Sequence, residues 1–111
     1  MKTFKDLEVG DTLYTVIYAN DSGYPLKVRK EKITAIEVVK SAGTIIKTAD
    51  LNYIIGGYHG YFVDPYYYDW EYMENNGDEI HCDKLSVQER INEASAECQK
   101  IFTAMLDSLK D

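Results

Sequence analysis

Alternation of apolar and polar positions dominates the first two-thirds of the chain, and a helical repeat dominates the last third. Thr12 to Ala19 reads as a strand with Leu13, Thr15 and Ile17 on one face and Tyr14, Val16 and Tyr18 on the other, so both faces can pack. Gly10-Asp11 supplies turn chemistry before it. Asn20-Asp21-Ser22-Gly23 forms a loop after it, with Pro25 just beyond. A long second strand is expected from Leu26 to Val39. Its first half is polar and basic (Lys27, Arg29, Lys30, Lys32), and its second half is apolar (Ile33, Ile36, Val38, Val39). The alternation slips between Ile33 and Ile36, which predicts a bulge that bends the strand, as at the corners of small barrels. Ser41-Ala42-Gly43 turns the chain into a third strand, Thr44 to Ala49, and Leu51 to Ile55 reads as a further short strand.

Gly56-Gly57-Tyr58-His59-Gly60 must be irregular, and Asp64-Pro65 breaks the segment from Tyr61 to Tyr68. Trp70 to Glu74 and Glu79 to Cys82 flank Asn75-Asn76-Gly77-Asp78, where Asn-Gly between apolar-containing runs predicts a hairpin. Beyond it, Val87, Ile91, Ala94, Cys98, Ile101 and Met105 recur at spacings of four and three. Ser86 followed by Glu89 has the capping-box pattern, and neither Pro nor Gly interrupts residues 86–109. One amphipathic helix is expected there, about 36 Å long at 1.5 Å per residue. Phe102, Leu106 and Leu109 widen the stripe at its far end. The helix either wraps an open sheet or meets a second copy of the chain through those three residues.

Length and composition fit one globular domain over residues 1–111, with residues 1–85 mostly antiparallel strands and 86–109 the helix. The hydrophobic fraction of 45% and charged fraction of 28% are ordinary, so no disulfide or metal staple is required for folding. Met1 to Asp6 lacks the apolar core of a signal peptide, and no apolar run approaches the length of a membrane span. The expectation is a cytoplasmic chain whose cysteines, Cys82 and Cys98, are reduced thiols, with Cys98 on the buried face of the helix.

The opening Phe4-x-x-Leu7-x-x-Gly10-Asp11-x-Leu13-Tyr14 resembles the start of many small SH3-like barrel proteins, and the bent strand and short hairpins that follow are similar too. A helix after the barrel recurs in small uncharacterised proteins of bacteria and their phages. The resemblance covers roughly residues 4–55. It implies an α+β fold: an antiparallel, SH3-like, partly open barrel of about five or six strands with the C-terminal amphipathic helix packed on it. The matching residues are turn and core residues, which report fold and not activity. The tyrosine-rich segment that follows departs from the pattern.

Charge changes the picture. Residues 1–49 carry eight Lys/Arg and six Asp/Glu, whereas residues 50–111 carry four and thirteen. From Asp64 to Asp83 there are seven acids and no Lys or Arg. Such a field repels phosphate and attracts cationic surfaces. Overlapping that stretch, Tyr58 to Tyr72 holds eight aromatics in fifteen residues. If the segment is extended, Tyr66, Tyr67 and Tyr68 cannot all enter one core, so at least one ring is expected at the surface. The expected protein-binding face comprises Tyr58, Tyr61, Asp64, Tyr66, Tyr67, Tyr68, Asp69, Trp70, Glu71 and Glu74. Its tyrosines supply contact area at low entropy cost, and its acids attract a basic partner. The competing reading places the rings in a core with hydroxyls reaching water.

Other chemistry is thinly represented. The basic run Lys27 to Lys32 beside Tyr14 and Tyr18 suits nucleic acid on a small barrel, but the net charge of −7 argues against it, and lysines guarding an edge strand explain the run as well. His81 and Cys82 are adjacent and would diverge on a strand, and only His59 joins them, so no metal site is expected. No nucleophile elbow, zinc-protease, phosphate-loop or dinucleotide pattern is present, and no carboxylate pair stands out from the acidic run. The reading is therefore a non-enzymatic protein-binding domain without a cofactor. Its acidic aromatic face would dock on a basic surface, as a phage-type inhibitor or nucleic-acid mimic would. The alternatives are a domain that stacks a nucleotide or sugar on its aromatics, or a structural assembly subunit.

Overall fold

The computed structural model describes residues 1–19, 23–49 and 60–109. Six strands appear among them: β1 (Thr12–Ala19), β2 (Tyr24–Val39), β3 (Gly43–Thr48), β4 (Gly60–Val63), β5 (Tyr72–Asn75) and β6 (Asp78–His81). They form one antiparallel sheet in the order β4-β3-β2-β1-β6-β5, curled into a half-barrel. The bend is in β2. Its first half pairs with β1 (Ile17 opposite Lys27) and its second half with β3 (Ile36 opposite Ile46). The register shifts between Ile33 and Ala35, where the alternation slips in the sequence. A bulge there raises the local twist and lets one strand serve both halves. Among the described residues the basic half of β2 pairs with β1, and only the half beyond the bulge pairs with β3. The expected strand at Leu51 to Ile55 lies outside the described residues.

Asn76 and Gly77 both take positive φ, 54° and 87°, and turn β5 into β6, as the Asn-Gly pattern predicts. Upstream, Tyr66 to Tyr68 are not extended. Pro65–Tyr67 is a 3-10 turn capped by Asp64, whose carboxylate accepts from the Tyr66 amide at 2.8 Å.

The C-terminal helix is broken in two, which corrects the expectation of one helix over 86–109. Helix α1 spans Lys84–Asn92 and α2 spans Ala96–Asp107. The N-cap of α1 is Asp83, whose carboxylate accepts from the Ser86 amide at 3.0 Å, so Ser86 is already inside the helix and does not cap it. At the break the Ser95 hydroxyl accepts from the Cys98 amide at 3.3 Å. The Gln99 side chain donates to the carbonyls of Asn92 (3.3 Å) and Ala94 (3.1 Å). Carbonyls left without helical partners at the end of α1 are thereby satisfied, so the break costs little.

Two cores result, one on each face of the sheet. Leu13, Ile33, Ile46, Val63, Met73 and Ile80 meet the N-terminal Phe4 and Leu7 on one side. Val16 and Val28 meet Val87 and Ile91 of α1 and Phe102 and Leu106 of α2 on the other. β1 feeds both, as its two packable faces suggest. Phe102 and Leu106 are buried within the chain, and Leu109 is partly buried against the same core. No described helix is long and apolar enough to cross a membrane.

Candidate functional site

The 3-10 turn after β4 places four aromatic rings in a ridge. Tyr66 contacts Tyr67 (centroids 5.1 Å apart) and Trp70 (5.5 Å). Tyr67 contacts Trp70 (5.4 Å), and Trp70 contacts Tyr72 (6.5 Å). Tyr66 is 68% exposed and Trp70 39% exposed, while Tyr67 and Tyr72 are half-buried. The backbone beneath is pinned. The Trp70 amide donates to the Tyr67 carbonyl at 3.0 Å, the Trp70 carbonyl accepts from the Phe4 amide at 3.1 Å, and the Tyr68 carbonyl accepts from the Lys5 amide at 3.0 Å.

Tyr72 fastens the ridge to the interior. Its ring stacks on His81 at 5.1 Å and 20°, and His81 is 0% exposed. His81 meets Glu79 through Nε2 at 3.0 Å and Ser86 through Nδ1 at 2.6 Å. Glu79, 5% exposed, also accepts from the Tyr18 hydroxyl at 2.9 Å and from Arg90 Nε at 3.0 Å. A carboxylate only accepts, so Nε2 carries the hydrogen and Nδ1 is left for the Ser86 hydroxyl. Burial alone would raise the Glu79 carboxyl, but the hydrogen bonds from His81, Arg90 and Tyr18 outweigh it and hold it below the ordinary carboxylate range. Burial, and then the neighbouring Glu79 charge, push the Tyr18 hydroxyl well above its usual range. Serine, histidine and carboxylate stand in the order of a hydrolytic relay. Here Ser86 is buried and the carboxylate is shared with Arg90 and Tyr18, so the set ties α1 to β6 and β1.

Of the residues expected in the site, Tyr66, Tyr67 and Trp70 share the ridge, flanked by Asp64, Asp69 and Glu71. Glu74 is exposed two residues beyond Tyr72 on β5. Asp69 pairs with Lys5 at 2.5 Å. Tyr61 does not join them. It packs on the first core, and its hydroxyl donates to Glu31 at 2.5 Å; burial, then that bond, push it up to about 12. Tyr68 is also set apart, its ring on the first core and its hydroxyl 2.7 Å from Thr44 Oγ1. Tyr58 lies outside the described residues.

Three residues lie outside what the sequence reading assigns to the face. Tyr72 sits in the aromatic run but is not among the residues expected in the face, and Glu89 of α1 and its C-cap residue Glu93 join Glu71 and Arg90 around a small depression beside Tyr72. The four-residue spacing of Glu89 and Glu93 on a helix was the available signal. Among the described residues no three His, Cys, Asp or Glu side chains are grouped to hold a metal ion. Cys82 is a free, buried thiol; burial, then nearby carboxylates, push it far above its usual range. No protein-family model matches this chain, no curated protein matches its sequence and no solved structure matches its fold.

Proposed function

We propose that this chain is a non-enzymatic protein-binding domain whose ridge of Tyr66, Tyr67, Trp70 and Tyr72, edged by Asp64, Asp69, Glu71 and Glu74, docks on a basic surface of another protein. The observation that carries the reading is the exposure of Tyr66 and Trp70 on a turn whose backbone is hydrogen-bonded on both sides. Rings held rigidly at a surface lose little further freedom on binding, so their burial converts into affinity with a small ordering cost. The surrounding carboxylates set the sign of the partner and speed encounter. Where the partner's surface ordinarily holds nucleic acid, the domain acts as a competitive mimic, in the manner of phage-encoded inhibitors of host machinery. The bulged, shared strand β2 supports the SH3-like reading of the chain's first half.

The test is a pull-down from lysate at low and high salt, with the wild type beside a folded Tyr66→Ser/Trp70→Ser variant. A basic protein held by the wild type at low salt and released by salt or by the substitutions is the expected result. An identical retained set for both baits contradicts the reading.

A further inference from the structure

A second feature adjoins the edge of the ridge, where Lys5 meets Asp69. A cavity of about 300 Å³ opens between the N-terminal turn and the β2–β3–β4 flank. Its walls are Phe4, Leu7, Ile36, Val38, Ile46 and Val63. The space is open to solvent on one side, so a ligand can enter it without the core opening. Its size falls at the lower end of pockets that hold small organic ligands. Phe4, Leu7, Ile46 and Val63 are buried core residues, so the walls are preformed, whereas Val38, 78% exposed, lies at the mouth.

The polar lining is sparse: Lys5, Thr44 and Tyr68. The hydroxyls of Thr44 and Tyr68 are 2.7 Å apart, and each retains capacity for another hydrogen bond. Lys5 carries the only charge among the described lining residues and sits on a turn fixed by two backbone bonds, from Phe4 to Trp70 and from Lys5 to Tyr68. Its ammonium is paired with Asp69, but both side chains are largely exposed, and pairs of that kind hold weakly and exchange readily.

We propose that this cavity binds a small apolar monocarboxylate, its hydrocarbon body against the aliphatic walls and its carboxylate taken by Lys5 in exchange for Asp69. An apolar cavity with one cation and a hydroxyl pair at its edge selects for a molecule with one anionic end. Short alkanoic and arylalkanoic acids share that chemistry.

Hexanoate and 3-phenylpropionate, with hexanamide as the uncharged control, are titrated into the full chain and followed by methyl NMR. Saturable one-to-one shifts at Ile36, Val38, Ile46 and Val63 are expected for the acids, and the stronger of the two identifies the preferred body. Lys5→Gln weakens the acids roughly three- to fivefold, the size of one exposed ion pair, and leaves hexanamide unchanged. Val38→Trp, at an exposed position that tolerates bulk, blocks all three. Tyr66→Ser/Trp70→Ser leaves acid binding intact, which separates this site from the docking ridge. Absence of saturable shifts at these methyls, binding that survives Val38→Trp, or hexanamide binding as tightly as hexanoate each overturns the proposal.

Discussion

The Tyr72 ring lies flat against His81, centroids 5.1 Å apart and planes 20° apart, so the edge of an exposed aromatic ridge rests on a histidine with no solvent contact. Tyr72 and His81 are directly opposed in the β5–β6 ladder, and Tyr14 opposes His81 from the other side. Through Tyr72 and His81 the ridge is thus connected to Glu79, Ser86 and Arg90.

Removal of the carboxylate at the centre of that network should be costly. Glu79→Ala leaves Arg90 Nε, the Tyr18 hydroxyl and one nitrogen of His81 without their carboxylate, so a loss of about 2–4 kcal/mol is expected in urea unfolding. A loss under about 1 kcal/mol would show that the network does not hold α1 to the sheet.

Stability should fall at both ends of the pH scale for separate reasons. Glu79 titrates below its ordinary value of 4.5 when folded, so its contribution is complete above that value and disappears as pH falls through the depressed folded value. Tyr61 titrates higher when folded, so its contribution is complete below the ordinary 10.0 and is lost as pH rises towards about 12. Urea midpoints between pH 7 and pH 3 should decline less steeply for Glu79→Gln than for the wild type. Tyr61→Phe should flatten the alkaline limb alone.

The helix break gives a prediction of opposite sign for two architectures. With Ser95 as the N-cap of α2, Ser95→Ala should destabilise the chain by about 1 kcal/mol. In one continuous helix the same change would stabilise it by a few tenths of a kcal/mol, because alanine is the better helix former. Thermal unfolding of the single variant distinguishes the two.

The three consecutive tyrosines should separate by stability. Tyr66→Ala should change it by no more than about 0.5 kcal/mol, as at other exposed sites. Tyr68→Ala loses a half-buried ring and its bond to Thr44 and should cost about 2 kcal/mol. Equal losses at both positions would place the rings in equivalent environments, contrary to the geometry.

What could be read from the sequence was carried by local chemistry. Asn76-Gly77 forces its hairpin because two positive φ values follow directly from those residues. The slip between Ile33 and Ile36 shows the bulge because a strand's side-chain period leaves a visible fault. The helix break was hidden because the apolar stripe stays in step across it, and its stabilising groups, the Ser95 hydroxyl and the Gln99 amide, carry no strong punctuation. Tyr61 is close to the aromatic face in sequence but not in space. Its strand instead directs the ring to the first core and the hydroxyl to Glu31. Glu79 read as one acid in a charge run. Only the long-range pairing of β1 with β6 brings Tyr18 within reach of it.

The most direct test of the docking ridge is hydroxyl-radical footprinting of the chain alone and bound to its captured partner, read by mass spectrometry at single residues. Tyr66 and Trp70 should be modified readily in the free chain and protected in the complex, with Tyr61 weakly modified in both. Protection of another face, with Tyr66 and Trp70 still reactive in the complex, would contradict the account.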